Sequence, residues 1–135
     1  MKPPYEPLQE REDELEEIYR VVLNYIKAMA TSDLVLMENI FHPNATITGN
    51  FDGTVSVTKM VDGMLPFMKT LPPTTQHSPR FGGRVLNVVQ KGLIASAAVE
   101  ENQLMDTDFT TFFQLHKVDA LWKITAKVTY AHPKK

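Results

Sequence analysis

The apolar residues of this 135-residue chain change their period at one corner, Phe41-His42-Pro43-Asn44-Ala45. Upstream of the corner they recur at alternating spacings of three and four, which places them on one face of a long helix: Leu15, Ile18, Val22, Tyr25 and Met29. Downstream, Ala45, Ile47 and Gly49 alternate with polar residues, a pattern typical of a half-buried β-strand. The chain must therefore pass from helices into strands at this corner, which only a small set of folds does.

A second, shorter helix is predicted between the long helix and the corner. Ser32 or Asp33 is suited to cap its N-terminus, because both side chains can accept a hydrogen bond from a backbone N–H. The end of this helix is set by Pro43, which disfavours helical geometry at the preceding residue, His42. Two helices are thus expected to form a hairpin before the first strand.

The segment after the first strand is predicted to be mixed. Asp52-Gly53 indicates a turn, and residues 54–58 are rich in β-branched side chains that favour a second short strand. A third helix is expected across Met60 to Lys69. The stretch from Thr70 to Arg80 contains three prolines and is predicted to be a long loop without regular structure. Loops of that length often cover binding sites.

The remainder of the chain is predicted to form a sheet. Short connections suited to antiparallel hairpins separate four strands: Val85 to Gln90, Leu93 to Gln103, Phe109 to Lys117 and Trp122 to Tyr130. Helices followed by antiparallel strands indicate the α+β class, with the helices on one face of a bent sheet. We expect one domain across residues 10–132, preceded by an extended tail over residues 1–9.

Composition argues against several classes of function. Lys and Arg total 14 against 16 Asp and Glu, a balance that does not attract nucleic acid. The chain has no cysteine and its four histidines lie far apart in sequence, so we expect neither disulfides nor a metal site. No apolar run has the length of a signal peptide or a membrane span. We therefore expect a cytoplasmic protein that has no contact with membranes and uses no cofactor.

Several short motifs together carry a family resemblance: F-H-P-N-A at the corner, the Asp52-Gly53 turn and Trp122-Lys123-Ile124 in the closing strand. On these motifs the chain resembles the nuclear transport factor two-like superfamily, and it is most similar to the group named putative lumazine-binding and polyketide-cyclase-like proteins. The resemblance implies a cone-shaped sheet wrapped around the helices, a pocket at its open end and a homodimer. It implies no single activity, because ketosteroid isomerase, scytalone dehydratase and transport factors share this fold.

The same resemblance argues against steroid isomerisation. Ketosteroid isomerase needs a carboxylate base, a tyrosine and a protonated aspartate in an apolar site. Tyr25 matches the tyrosine, but the positions of the two acids fall at Gly49 and near Phe113. Neither of these side chains can transfer a proton.

Strand parity predicts which side chains face the interior, since alternate residues of a strand share one face. Two sets are assigned to the interior on this basis: Phe109, Thr111, Phe113 and Leu115, and Ile124, Ala126, Val128 and Tyr130. Either Glu100 or Glu101 must also point inward near the end of its strand, and the likeness to the enzymes of the superfamily favours Glu100.

Three hypotheses for function follow. The first is a protein that binds an unknown ring-shaped organic molecule in an apolar pocket with adaptable methionine and aromatic walls: Tyr25, Met29, Met64, Phe67, His77, Phe109, Phe113 and Tyr130. The second is a dehydratase, isomerase or cyclase in which Tyr25, Glu100 and either His42 or His77 carry protons. The third is a protein-interaction module, with a dimer formed by an outer sheet face of little charge: Thr110, Phe112, Gln114 and His116.

Overall fold

The computed structural model describes residues 12–134, so the predicted tail over residues 1–9 lies outside the described part of the chain. The first helix, α1, spans Glu12–Thr31. Ile18, Val22 and Tyr25 on its apolar face are completely buried, which confirms the predicted stripe. None of the helices within residues 12–134 combines the length and the apolar character needed to cross a bilayer.

The corner is a bulge inside a strand. Helix α2 spans Leu34–Ile40 and is capped by Asp33, whose carboxylate accepts a hydrogen bond from the N–H of Leu36 at 3.0 Å. Strand β1 then runs from Phe41 to Phe51, four residues earlier than the predicted start at Ala45. Between its pairings at positions 41 and 46, four residues lie opposite a single residue of the neighbouring strand. This excess bends the chain, because bulged residues leave the ladder and increase its local twist.

The segment between β1 and the last four strands contains more regular structure than predicted. Strand β2 spans Thr54–Lys59, a π-helical turn covers Met60–Met64, and α3 follows over Leu65–Lys69. The proline-rich stretch, predicted to be irregular, includes a single helical turn, α4, over Thr74–His77. That prediction was wrong because Pro73 precedes the turn, where a proline does not interrupt helical hydrogen bonds.

The sheet has six strands in the order β2-β1-β6-β5-β4-β3. The last four span Gly82–Lys91 (β3), Ile94–Leu104 (β4), Thr107–Val118 (β5) and Leu121–Ala131 (β6). All neighbours pair antiparallel except β1 and β6, which pair parallel, so the sheet is mixed rather than wholly antiparallel. Helix α1 packs against β3, β4 and β6. The α+β class and the cone in which a bent sheet wraps around the helices are confirmed.

The segment of residues 70–80, which we call the strap, is tied to the end of α1. The Thr74 hydroxyl donates to the carbonyl of Met29, and the backbone N–H of Thr74 donates to the Ser32 hydroxyl at 2.7 Å. Thr74 is only 5% exposed, so these bonds are shielded from water. The strap is thereby held across the open end of the cone.

Candidate functional site

A cavity of about 490 Å³ opens between the strap, the helical segment 60–69 and the ends of the central strands. Its volume lies within the range of cavities that hold drug-sized molecules. Most of its wall is apolar, with side chains from every surrounding element: Met29, Leu34, Ile47, Phe51, Met64, Phe67, Met68, Leu71, Leu104, Met105 and Phe109. Four ionisable residues, Lys69, His77, Glu101 and Lys127, also line the cavity, and of these Glu101 and Lys127 are buried.

Five of the eight predicted ligand-binding residues line this cavity: Met29, Met64, Phe67, His77 and Phe109. Tyr25 and Phe113 are not among the lining residues; they are buried and pack edge to face, with ring centroids 4.8 Å apart. Tyr130 is 43% exposed, and its placement in the interior was wrong. Whether any of these residues binds a ligand stays a prediction.

The inward-facing glutamate is Glu101, and the choice of Glu100 was wrong. Glu100 points outward and forms an ion pair with Arg84 at 2.8 Å, whereas Glu101 is 1% exposed. Glu101 continues the alternation of the buried Ala97 and Val99 in β4, and it pairs with the inward-facing Phe109. The likeness to the enzymes of the superfamily had favoured the neighbouring residue, whose side chain faces outward.

Glu101 is held by two hydroxyl donors. The Tyr25 hydroxyl and the Thr111 hydroxyl each donate to Oε1 of Glu101 at 3.1 Å, and the Thr111 and Thr129 hydroxyls are 2.9 Å apart. Oε2 of Glu101 is buried and has no hydrogen-bond partner within the part of the chain that the structure describes. A buried acceptor without a partner is uncommon and calls for a functional explanation.

Tyr25 is suited to remain a hydrogen-bond donor. Burial raises the pKa of Tyr25 well above its ordinary value, and the negative charge of Glu101 and the hydrogen bond to it raise this pKa further. The hydroxyl therefore keeps its proton at neutral pH. Its role beneath the cavity is to hold the Glu101 carboxylate in one orientation.

Lys127 is a second polar group that the parity argument missed. It is 9% exposed; its Nζ lies 5.1 Å from the centroid of the Tyr25 ring and donates to Sδ of Met64 at 3.5 Å. No ion pair within residues 12–134 includes Lys127. Burial lowers the pKa of Lys127, and the negative charge of Glu101 only partly opposes this effect.

A bulge in β6 explains why the inward orientation of Lys127 was not predicted. In the β5–β6 ladder, Gln114 pairs with Ala126 and Leu115 pairs with Ile124, so Thr125 is an extra residue in β6. Ile124 faces inward as predicted, but beyond the bulge Lys127 and Thr129 face inward instead of Val128 and Tyr130. The interior assignment of β5 was correct, since its four residues are buried: Phe109, Thr111, Phe113 and Leu115.

Of the two candidate histidines, only His77 lines the cavity. His42 is not among the lining residues; its Nδ1 accepts a hydrogen bond from the N–H of Asn44 at 3.0 Å, which orders the corner. Its proposed role as a proton carrier at the cavity therefore lacks the required proximity. His77 lies in the strap, where its Nδ1 is 2.6 Å from the Ser78 hydroxyl.

Gly49 lines the cavity and leaves room for an aromatic ring. A Cβ atom at this position would overlap the ring of Phe51, so that ring occupies the space where a larger residue would project. The cavity's carboxylate comes from β4 instead of β1. The cavity therefore does not place a carboxylate at the position of the ketosteroid isomerase base, which corresponds to Gly49.

Comparison with known proteins agrees with this fold. The family described as "Putative lumazine-binding" matches residues 13–130. The curated protein "Aldolase FrzH" from Cladobotryum sp. is 26% identical over 110 residues, which cover 82% of this chain and 85% of the aldolase.

Two solved structures of NTF2-like proteins of unknown function resemble the whole fold. The protein from Shewanella baltica has a TM-score of 0.81 at 24% identity, covering 94% of this chain and all of its own. The protein from Methylobacillus flagellatus has a TM-score of 0.80 at 24% identity, covering 93% of this chain and 97% of its own. At these identities the likeness shows the fold alone.

Proposed function

Because this chain belongs to the "Putative lumazine-binding" family of the nuclear transport factor two-like superfamily, we propose that its cavity binds a ring-shaped organic carbonyl compound and catalyses proton transfer beside the carbonyl. The observation that carries the proposal is Oε2 of Glu101, a buried acceptor without a described partner at a mostly apolar wall. Such a carboxylate is a suitable base, because an oxygen without a hydrogen-bond partner is free to accept a proton from a bound substrate.

The proposed reaction uses the two oxygens of Glu101 differently. Oε1 is held by Tyr25 and Thr111, so the carboxylate cannot rotate freely. Oε2 accepts the proton from the carbon beside the carbonyl, and the electron pair of that C–H bond forms an enolate. While the carbonyl group of the substrate remains free, Lys127, which also lines the cavity, is assigned the hydrogen bond to the enolate oxygen. The chain's own side chains suffice for this step, so the proposal includes no cofactor.

The relative named as an aldolase supports this class of chemistry. An aldol reaction begins with a carbon nucleophile, which arises when a proton is removed beside a carbonyl. Isomerases, dehydratases and cyclases that act on carbonyl compounds share this first step. The proposal therefore concerns the proton transfer and leaves the subsequent bond formation to the identity of the substrate.

The proposal is tested by hydrogen–deuterium exchange of a ring ketone. We expect the protein to accelerate exchange of the protons beside the carbonyl of trans-2-decalone at least about tenfold over buffer in D₂O, measured by NMR. Met68→Trp should suppress the effect, because Met68 lines the cavity and the larger ring would fill it. Val35→Trp is the matched control, since Val35 is 71% exposed on α2.

Two outcomes would contradict the proposal in different ways. If decalone binds, as followed by calorimetry, but exchange stays at the buffer rate, the protein is a binding protein without this chemistry. If Met68→Trp and Val35→Trp exchange decalone equally fast, the reaction does not occur in the cavity.

We also propose that the chain forms a homodimer through the outer face of the sheet. Phe112 is 59% exposed there and pairs directly with Val128, itself 50% exposed. With Thr110, Gln114 and His116 on the same face of β5, these side chains form an apolar surface with little charge, as at many protein interfaces.

Sedimentation velocity should therefore find a dimer for the unmodified chain and a monomer for Phe112→Glu, because burying the introduced charge would be unfavourable. Val35→Glu, on the exposed side of α2, should remain dimeric. A monomeric unmodified chain at micromolar concentration would refute the dimer.

A further inference from the structure

Lys127 differs from an ordinary surface lysine in its surroundings. It is nearly buried at the cavity wall, and within residues 12–134 it forms no ion pair. Its one hydrogen-bond acceptor among the described residues is the thioether sulfur of Met64, which is a weak acceptor. Burial lowers the pKa of Lys127, because for the ammonium the loss of water outweighs the attraction of the Glu101 charge.

The groups around Lys127 suit a cation that forms only during a reaction. The face of the Tyr25 ring lies 5.1 Å from Nζ, within the range at which a cation interacts favourably with an aromatic ring. The negative charge of Glu101 acts on the same nitrogen. These two groups would stabilise a positively charged nitrogen attached to a bound molecule, while the Met64 contact offers little competition.

We propose that Lys127 is a nucleophile that forms a Schiff base with an aldehyde or an unhindered ketone bound in the cavity. The inference rests on the proposed function, since it concerns the same cavity and the same class of ligand. The neutral amine attacks the carbonyl carbon, and the electron pair of the C=O bond moves to oxygen. A proton passes from nitrogen to that oxygen to give a carbinolamine.

Loss of water then completes the covalent bond. The hydroxyl of the carbinolamine takes a second proton, supplied by the solvent, and leaves as water, while the nitrogen lone pair forms the C=N bond. The resulting iminium carries the positive charge that the Tyr25 ring and Glu101 face. An iminium also makes the neighbouring C–H bond more acidic, which would assist removal of its proton by Glu101.

The test traps the Schiff base with a probe that has no proton beside its carbonyl. Benzaldehyde is incubated with the full chain and sodium cyanoborohydride at pH 7, and the hydride reduces any C=N bond to a stable benzyl amine. Peptide mapping by mass spectrometry then locates the benzyl group. We expect Lys127 to be modified at least about tenfold more than any other lysine, because each pKa unit lost raises the neutral fraction about tenfold.

The position of the adduct on the unmodified chain is the main result, so the test does not depend on a variant that folds. Lys127→Met should abolish the selective adduct, whereas Lys59→Met, which changes an exposed lysine at the end of β2, should leave it unchanged. Modification of Lys127 at no more than the average rate of the other lysines would overturn the inference.

The two experiments can refute the proposed function and the Schiff base independently. If Lys127 is not selectively modified but decalone still exchanges through Glu101, the Schiff base is refuted and the proposed function stands. If decalone shows neither binding nor exchange and benzaldehyde does not select Lys127, both are refuted. Selective modification of Lys127 without decalone exchange would support Lys127 as a nucleophile. It would refute Glu101 as a base for ring ketones.

Discussion

Glu101→Gln is expected to slow the exchange of the protons beside the carbonyl of trans-2-decalone about 10²–10⁴-fold, which is the usual contribution of a general base. Glutamine has nearly the shape of glutamate, and its amide oxygen can still accept the hydrogen bonds from Tyr25 and Thr111. It cannot accept a proton from carbon at neutral pH. The affinity for decalone, measured by calorimetry, should therefore change much less than the exchange rate.

Glu100→Gln is the matched control for this experiment. Glu100 is the neighbour of Glu101 in β4, carries the same functional group and points away from the cavity toward Arg84. Its replacement should leave the exchange rate unchanged, because an exposed ion pair contributes little to stability and none of its atoms lines the cavity. If Glu101→Gln and Glu100→Gln exchange decalone at the same rate, Glu101 is not the base. Near-ultraviolet circular dichroism would verify that both variants keep the native packing.

The elements of the fold could be predicted from the sequence because their signals are local. The apolar stripe of α1, the cap at Asp33 and the turn at Asp52-Gly53 each depend on a few neighbouring residues. The inward face of β5 was also predictable, because Phe109, Phe113 and Leu115 alternate along the strand and mark its apolar face.

The site could not be predicted in the same way. Unbroken alternation along β4 places Glu101 on the face of the buried Ala97 and Val99, but the likeness to the superfamily's enzymes favoured Glu100. In β6 the extra residue, Thr125, inverts the alternation, so parity read through it assigned Val128 and Tyr130 to the interior in place of Lys127 and Thr129. Gln103, where the register between β4 and β5 shifts, has a φ of 61°, a conformation that its sequence gives no reason to expect.

The polar side chain of Lys127 also contributed to the wrong assignment of the interior face of β6. A lysine between Ala126 and Val128 in a strand suggests that the apolar neighbours face inward, since lysine is rarely buried. Here the reverse holds, and the exposed Val128 belongs to the outer face that we propose as a dimer interface. Sites and interfaces are the places where a hydrophobic pattern misleads, because function there requires polar groups inside or apolar groups outside.

Lys127→Met is expected to stabilise the folded chain by on the order of 1 kcal/mol at pH 7, a typical gain when a buried functional group is replaced by an apolar one. Methionine has a similar length and would pack against the apolar cavity wall. The physical reason is the burial that lowers the pKa of Lys127: the ammonium is less favourable in the folded chain than in the unfolded one. Urea unfolding followed by circular dichroism measures the difference.

The pH dependence of this gain in stability distinguishes the effect of removing the charge from the effect of better packing. The folded pKa of Lys127 lies below the unfolded value of 10.5, so between the two the unfolded chain binds more protons. Stability of the unmodified chain therefore rises with pH through this window, and below the folded pKa the penalty is constant. The advantage of Lys127→Met should accordingly shrink as the pH approaches 10.5. Other titrating groups affect both chains alike and cancel in the difference.

Lys117→Met is expected to change the free energy of unfolding in the opposite direction. Its amine forms an ion pair with Glu14, whose side chain is 5% exposed, so removal of Lys117 leaves that carboxylate with less compensation and should destabilise the fold. If Lys127→Met is also less stable at pH 7, the ammonium must be held favourably by Glu101. In that case burial would not favour the neutral amine, and Lys127 would act on a bound carbonyl by hydrogen bonding instead of by nucleophilic attack.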